Sequence, residues 1–178
     1  ASITSWTNLG GNIYESTSAA STLSTCKIIS LNGANVAVGR TPNTGYWTIG
    51  STNGSTTITD ATNLNASTTN WTGATAVMRK HRWVTDSYTI SSASGSTITF
   101  SSGAGANDNV GAGWGYFIQN DARACNTLNE WYYNASKKIG IYSGSTPSNL
   151  KVPTIETAID VNTRTGITIS NLIITGYN

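Results

Sequence analysis

The eight carboxylates and single histidine are the acid–base resources of this 178-residue chain. Glycoside hydrolysis needs two carboxyl groups about 5–10 Å apart. No two of Glu15, Asp60, Asp86, Asp108, Asp121, Glu130, Glu156 and Asp160 stand in a recognisable pair. Asp121 and Glu130 draw notice because both lie in the aromatic stretch GYFIQNDARACNTLNEWYYN, residues 115–134. The simpler reading is that Asp121 caps a turn and that Glu130 pairs with Arg123 or Arg40. Calcium sites gather oxygen ligands from clustered acidic side chains, and no such cluster is present. His81 has no second His and no Cys near it in sequence, which makes a poor metal site. The glycine-rich GAGANDNVGAG, residues 103–113, lacks the Lys and the following helix of a phosphate loop. No catalytic, metal-binding or cofactor-binding residue is assigned, and no cofactor is expected.

Aromatic side chains carry the other chemistry on offer. Six Trp, eight Tyr and two Phe stand in a chain with only 10% charged residues. Large aromatics usually end in cores, so Trp114, just before the aromatic stretch, and Trp131, within it, read as a structural plug. Trp47 and Trp71 sit beside Gly, Thr and Asn in expected loops, and these two are the candidates for stacking against sugar rings. Cys26 and Cys125 are a candidate disulfide. Such a bridge would close a loop of about 100 residues, which the chain-entropy account values at up to about 4–5 kcal/mol. Two buried thiols are the alternative.

The elements that must position these groups read as strands. Ser, Thr and Asn dominate, but the aromatic content argues against disorder. Thr, Val, Ile, Tyr and Trp favour strands, while Gly, Asn and Ser favour turns. Asn32-Gly33 between KIISL and ANVAVG is a two-residue hairpin signal, and SYTISSASGSTITF turns near Ser94-Gly95. AVMRKHRWVTDSYTI reads as one long strand, with Arg79, His81 and Trp83 on one face and Lys80, Arg82 and Val84 on the other. Asn120 or Asp121 is placed to cap one helical turn running to Cys125.

Net charge is only +2, and alternation spreads the Arg79-Lys80-His81-Arg82 run over both faces of its strand. A nucleic-acid partner is therefore not expected. No apolar run approaches the ~20 residues of a membrane span. Scarce Lys and Glu with a polar β surface suit export. Ala1 is not followed by a signal-peptide pattern, so any leader is expected to have been removed.

From Ile155 onward TIETAIDVNTRTGITISNLIITGYN places short aliphatic strands between Asn and Gly corners. Ile167, Ile169, Leu172 and Ile174 are spaced as one coil of a parallel β-solenoid. About three coils are needed for stability, so the chain reads as the front of something longer, with the rest of the helix or another protein chain packed on that coil.

Several segments together carry a family resemblance: WTNLGGNIYES, GRTPNTGYWTI, NWTGATAVMRKHRWVTDSYTI, the aromatic stretch, and TGITISNLIITGYN. The sequence resembles the N-terminal region of secreted bacterial right-handed parallel β-helix proteins of the Bacteroidetes type, in the pectin-lyase-like superfamily. The expected fold is all-β: a β-sandwich-like cap over residues 1–153, then the start of a right-handed parallel β-helix over 154–178. The resemblance implies substrate clefts on later coils beyond Asn178, in a protein that is a polysaccharide lyase, a glycoside hydrolase or neither. The expected function is that of the non-catalytic N-terminal part of a secreted or cell-surface carbohydrate-associated protein, with a polysaccharide or glycan as partner. The alternative is a structural or adhesive extracellular protein without enzymatic activity, such as a filament, appendage or surface adhesin.

Overall fold

The alternating segments become short antiparallel strands in the computed structural model. It describes residues 1–65, 69–81, 84–101 and 110–173, with positions 80 and 81 described by backbone alone. The first strands are β1 (Ser2–Ile3), β2 (Trp6–Gly10), β3 (Ile13–Ser16), β4 (Ser30–Leu31) and β5 (Ala34–Asn35). Next come β6 (Arg40–Thr41), β7 (Trp47–Thr48), β8 (Ser51–Asn53), β9 (Thr57–Thr59), β10 (Thr75–His81), β11 (Val84–Ser94), β12 (Thr97–Phe100) and β13 (Gly115–Gln119). A 3-10 turn, Ala122–Ala124, precedes β14 (Trp131–Tyr133), β15 (Ile139–Tyr142) and β16 (Leu150–Lys151). The fold is all-β, with no α-helix among the described residues.

Two compact units divide the chain. Ala1–Val38 and Thr127–Asn178 form one, and Gly39–Asn126 is an insert that forms the other. The boundaries between the units fall inside the expected 1–153 cap.

The outer unit holds two four-stranded sheets, ordered β1-β16-β4-β5 and β14-β15-β3-β2. Both send side chains into one core that includes Ile29, Trp131, Tyr133, Ile139, Ile141 and Leu150, a sandwich-like arrangement. Period-two alternation explains who enters it. Trp131 and Tyr133 face Ile141 and Ile139 in register and point inward with them. The polar tips of both aromatics are satisfied: Trp131 Nε1 donates to the Val36 carbonyl at 2.9 Å, and Tyr133 Oη to that of Leu23 at 2.7 Å. On the opposite side, Tyr132 pairs with Gly140, which in turn pairs with Glu15. Tyr132 lies across the bare glycine and donates to Glu15 Oε2 at 2.8 Å. The Asn32-Gly33 hairpin forms as expected between β4 and β5, with φ of 53° and 84° as a type I′ turn requires.

The insert is one sheet ordered β6-β13-β10-β11-β12-β9-β8, with β7 also paired to β13. β11 is eleven residues long. Its first half pairs with β10 and its second half with β12, with a register shift between Ile90 and Ser92. The inner face buries Ile58, Met78, Ile90, Ile98, Tyr116 and Ile118. The expected single strand around residues 76–90 is in fact a hairpin: His81 pairs with Val84, so the chain reverses between them. Arg82 and Trp83 lie outside the described residues, as do the side chains of Lys80 and His81, and with them most of the expected two-faced distribution. Gly95 at φ 56° closes the β11–β12 hairpin where it was expected.

The expected β-helix coil is absent over the described part of the C-terminal segment. Residues 152–173 carry no strand, and Ile155, Ile167, Ile169, Leu172 and Ile173 are exposed. Ile174 lies outside the described residues. A solenoid coil orders its backbone against the coils stacked on it, and residues 155–173 are exposed almost throughout.

Candidate functional site

The outer face of the insert's sheet is assembled by strand phase. On β13, Tyr116 and Ile118 go into the core, which turns Phe117 outward. Register partners share a face, so Phe117 stands beside Val77, and Val77 beside Ser87. The next row holds Arg40, Gln119, Thr75 and Thr89. Thr85, Ser87 and Thr89 are exposed along β11.

Arg40, Tyr46 and Phe117 form the feature that stands out on this face. The Arg40 guanidinium lies 3.6 Å over the Phe117 ring and 5.9 Å from that of Tyr46. The two rings are 5.8 Å apart at 53°. Arg40 is fixed from behind, because Nε donates to the Pro42 carbonyl at 2.9 Å and Nη2 donates to that of Gly45. Tyr46 crosses Gly115 so closely that a Cβ there would come 2.7 Å from the tyrosine Cβ. Tyr46 as a residue remains 49% exposed. A half-open phenol ring beside an immobilised guanidinium can stack a sugar ring and hydrogen-bond its substituents.

The residues expected to stack sugars are placed differently. Trp71 belongs to the core at 6% exposure, and Arg123 lies 5.5 Å over its ring, so it offers no open face. Trp47 is half-buried and meets Tyr116 edge-on, with centroids 5.7 Å apart. It pairs in register with inward-facing Tyr116, and that phase turns its neighbour Tyr46 outward. The alternation of Tyr46, Trp47 and Thr48 is the signal that would have found it. The aromatic stretch behaves as core, with Tyr116, Trp131, Tyr132 and Tyr133 all buried.

The carboxylates are structural where their partners are defined. Asp60 is buried and accepts from Thr62 N, Asn63 N, Asn63 Nδ2 and Tyr116 Oη at 2.8–3.0 Å. Burial alone would raise its pKa, but these donors outweigh it and hold the carboxyl below its usual range. Burial, and then the Asp60 charge, push Tyr116 up. A carboxylate kept ionised in this way is a poor proton donor near neutrality. Asp121 caps the 3-10 turn, accepting from Arg123 N at 2.9 Å, as expected. It also binds the Arg123 guanidinium at 2.5–2.6 Å, which raises that group's pKa. Glu130 takes the Thr127 N–H at 2.9 Å. Glu15 accepts from Tyr132 and Asn134 and lies 3.5 Å from Lys138 Nζ.

The candidate disulfide between Cys26 and Cys125 is not formed, and both residues are thiols. Cys26 donates to the Ile28 carbonyl at 3.3 Å, and burial raises its pKa. Cys125 sits buried against Gly39, where an added Cβ would come 2.3 Å from its Sγ. The cysteines lie in different units, and each is accommodated within its own. Among the described residues there is no group of three or more His, Cys, Asp or Glu placed to hold a metal. Nor is there a helix long and apolar enough to cross a membrane.

No protein-family model matches the sequence, and no curated protein matches it. Among solved structures the chain is similar to a glycoside hydrolase, with a TM-score of 0.64 and 15% identity over 88% of this chain. The likeness, at that identity, is one of fold. This chain covers 31% of the length of that protein.

Proposed function

We propose that this chain is the non-catalytic N-terminal part of a secreted or cell-surface carbohydrate-associated protein, and that the outer face of its inserted sheet lies against a glycan. The observation that carries this reading is the fold likeness to a stretch of a glycoside hydrolase across 88% of the chain. The surface bearing Arg40, Tyr46 and Phe117 supports it, because an exposed aromatic beside a fixed guanidinium offers a stacking surface to a polysaccharide. Trp47 belongs to the same strand edge and serves as support beneath Tyr46 rather than as the platform. The engaged states of Asp60, Asp121 and Glu15 favour a role without turnover. Hydrolysis or elimination is then the work of other parts of the protein, in this reading a right-handed parallel β-helix that follows.

Affinity electrophoresis of the chain through gels containing a panel of plant and algal polysaccharides, with a reducing-end assay alongside, tests this. Retardation by at least one polymer without release of reducing ends is the expected result. Migration unchanged in every gel would overturn it.

A structural or adhesive role is favoured by one separate observation. The extended segment 155–173 exposes Ile155, Ile167, Ile169, Leu172 and Ile173, the last at 90%, an apolar series suited to being covered by further coils or another chain. Ending the chain after Thr154 should then abolish any concentration-dependent association seen by sedimentation velocity. Association that survives the truncation would count against this role.

A further inference from the structure

The glycan reading leaves open which chemistry the face selects, and one side chain decides it. Arg40 carries a permanent charge. Its recorded partners are two backbone carbonyls and two aromatic rings, and it faces no carboxylate among the described residues. The described carboxylates of the same unit are committed elsewhere: Asp60 is buried beneath the sheet with Tyr116, and Asp121 holds Arg123. Asp86 pairs in register with inward-facing Met78 and so belongs to the other side. Around Arg40 the same face carries the neutral Gln119, Thr75 and Ser87, with Val77 buried among them. An anion arriving at Arg40 therefore meets a guanidinium already aimed by Pro42 and Gly45, and no like charge on the neighbouring strand positions. N–H groups not used on the carbonyls remain for it, and little side-chain entropy is left to lose.

We propose that Arg40 and Tyr46 form a subsite for an anionic sugar unit within a polysaccharide. The carboxylate or sulfate ester sits on the Arg40 guanidinium and the sugar ring packs on the exposed face of Tyr46. This rests on the glycan reading above and adds the charge of the ligand to it. Phe117 acts through Arg40 by holding the guanidinium plane, so it is a positioning residue.

The test is binding of the whole chain to alginate (carboxylates), carrageenan (sulfate esters) and a neutral β-glucan, for the natural sequence and for Arg40→Gln, Arg40→Lys and Tyr46→Ala, each checked for folding by thermal unfolding. The expected result is tighter binding to at least one anionic polymer than to the β-glucan, weakening as salt rises. Arg40→Gln should lower that affinity about tenfold, the scale of losing charge-assisted hydrogen bonds. Arg40→Lys should recover part of it, and Tyr46→Ala should weaken it without changing its salt dependence. Alginate against carrageenan separates carboxylate from sulfate. Equal binding to all three polymers, unchanged in Arg40→Gln, overturns the subsite while leaving the glycan reading intact. Binding to none overturns both. Should Arg40→Gln not fold, the other two variants decide, and full affinity in both overturns the subsite.

Discussion

Tyr116 donates its hydroxyl to Asp60 at 2.9 Å across 56 residues of chain, inside the core of the inserted unit. The bond ties β13 to the turn that follows β9. Asp60 has its pKa lowered in the folded state, so the unfolded chain takes up this proton first as pH falls. Its contribution is therefore full above the ordinary carboxylate range and is lost as pH drops through the folded-state value. Tyr116→Phe is expected to cost about 1–3 kcal/mol near neutrality. That deficit should shrink in acid, where Asp60 is protonated in both proteins. Urea unfolding at a series of pH values measures it, and a deficit independent of pH would refute the assignment.

Gly140 gives a second prediction. A Cβ there would stand 2.0 Å from Tyr132 Cε1, so Gly140→Ala must lift the ring and break its bond to Glu15. A loss of about 1–3 kcal/mol follows from overpacking a filled site. Tyr132→Phe, which keeps the ring and loses only the hydroxyl, should cost less than Gly140→Ala in the same melting experiment. The reverse order would contradict the placement of Tyr132.

Trp71 and Tyr46 are expected to separate stability from binding. Trp71→Ala removes a core indole and should destabilise by about 3–5 kcal/mol. Tyr46→Ala, at a half-exposed position, should change the midpoint far less and act on glycan binding instead. Comparable melting shifts in the two variants would show that Tyr46 is a packing residue.

Both cysteines should titrate as thiols without reductant once the chain is unfolded. In the folded protein Cys125 is shielded and Cys26 has its pKa pushed up by burial, so alkylation near neutrality should be slow for both and should speed up sharply in denaturant. Mass spectrometry after alkylation under non-reducing conditions reads this directly, and a chain that takes up no label in denaturant would establish the bridge after all.

Local signals in the sequence were read well where the chemistry of one or two residues decides the geometry. Asn32-Gly33 and Gly95 reverse the chain because positive φ is easiest for these residue types, and Asp121 caps through its own oxygen. The reversal between His81 and Val84 was missed because no Gly, Asn or Pro marks it. There the basic run looked like strand throughout, and partner strands rather than turn residues set the register. The candidate site was legible only in kind. The sequence points to Trp47, in an expected loop, and not to its neighbour Tyr46, because strand phase cannot be told from loop in so short a segment. The terminal Ile and Leu series had the right period for strands, yet a strand also requires a neighbour to pair with, and no period records that. Arg40 was considered only as a partner for Glu130. Its stacking on Phe117 joins residues from β6 and β13, far apart in the chain.

The insertion of residues 39–126 between Val38 and Thr127 imposes a timetable on synthesis. Strand β1 finds its partner in β16, and β3 finds its partner in β15, so the early strands of the outer unit wait for its late ones. The insert has no such debt: β6 through β13 pair only among themselves. It can mature as soon as its own residues are out, as domains do during translation. The outer sandwich, made of the most distant segments, closes last and carries the larger loop-closure cost. A nascent chain whose residues up to Asn126 have just cleared the ribosome would thus expose a finished inserted sheet while β1 and β3 still lack their partners β16 and β15.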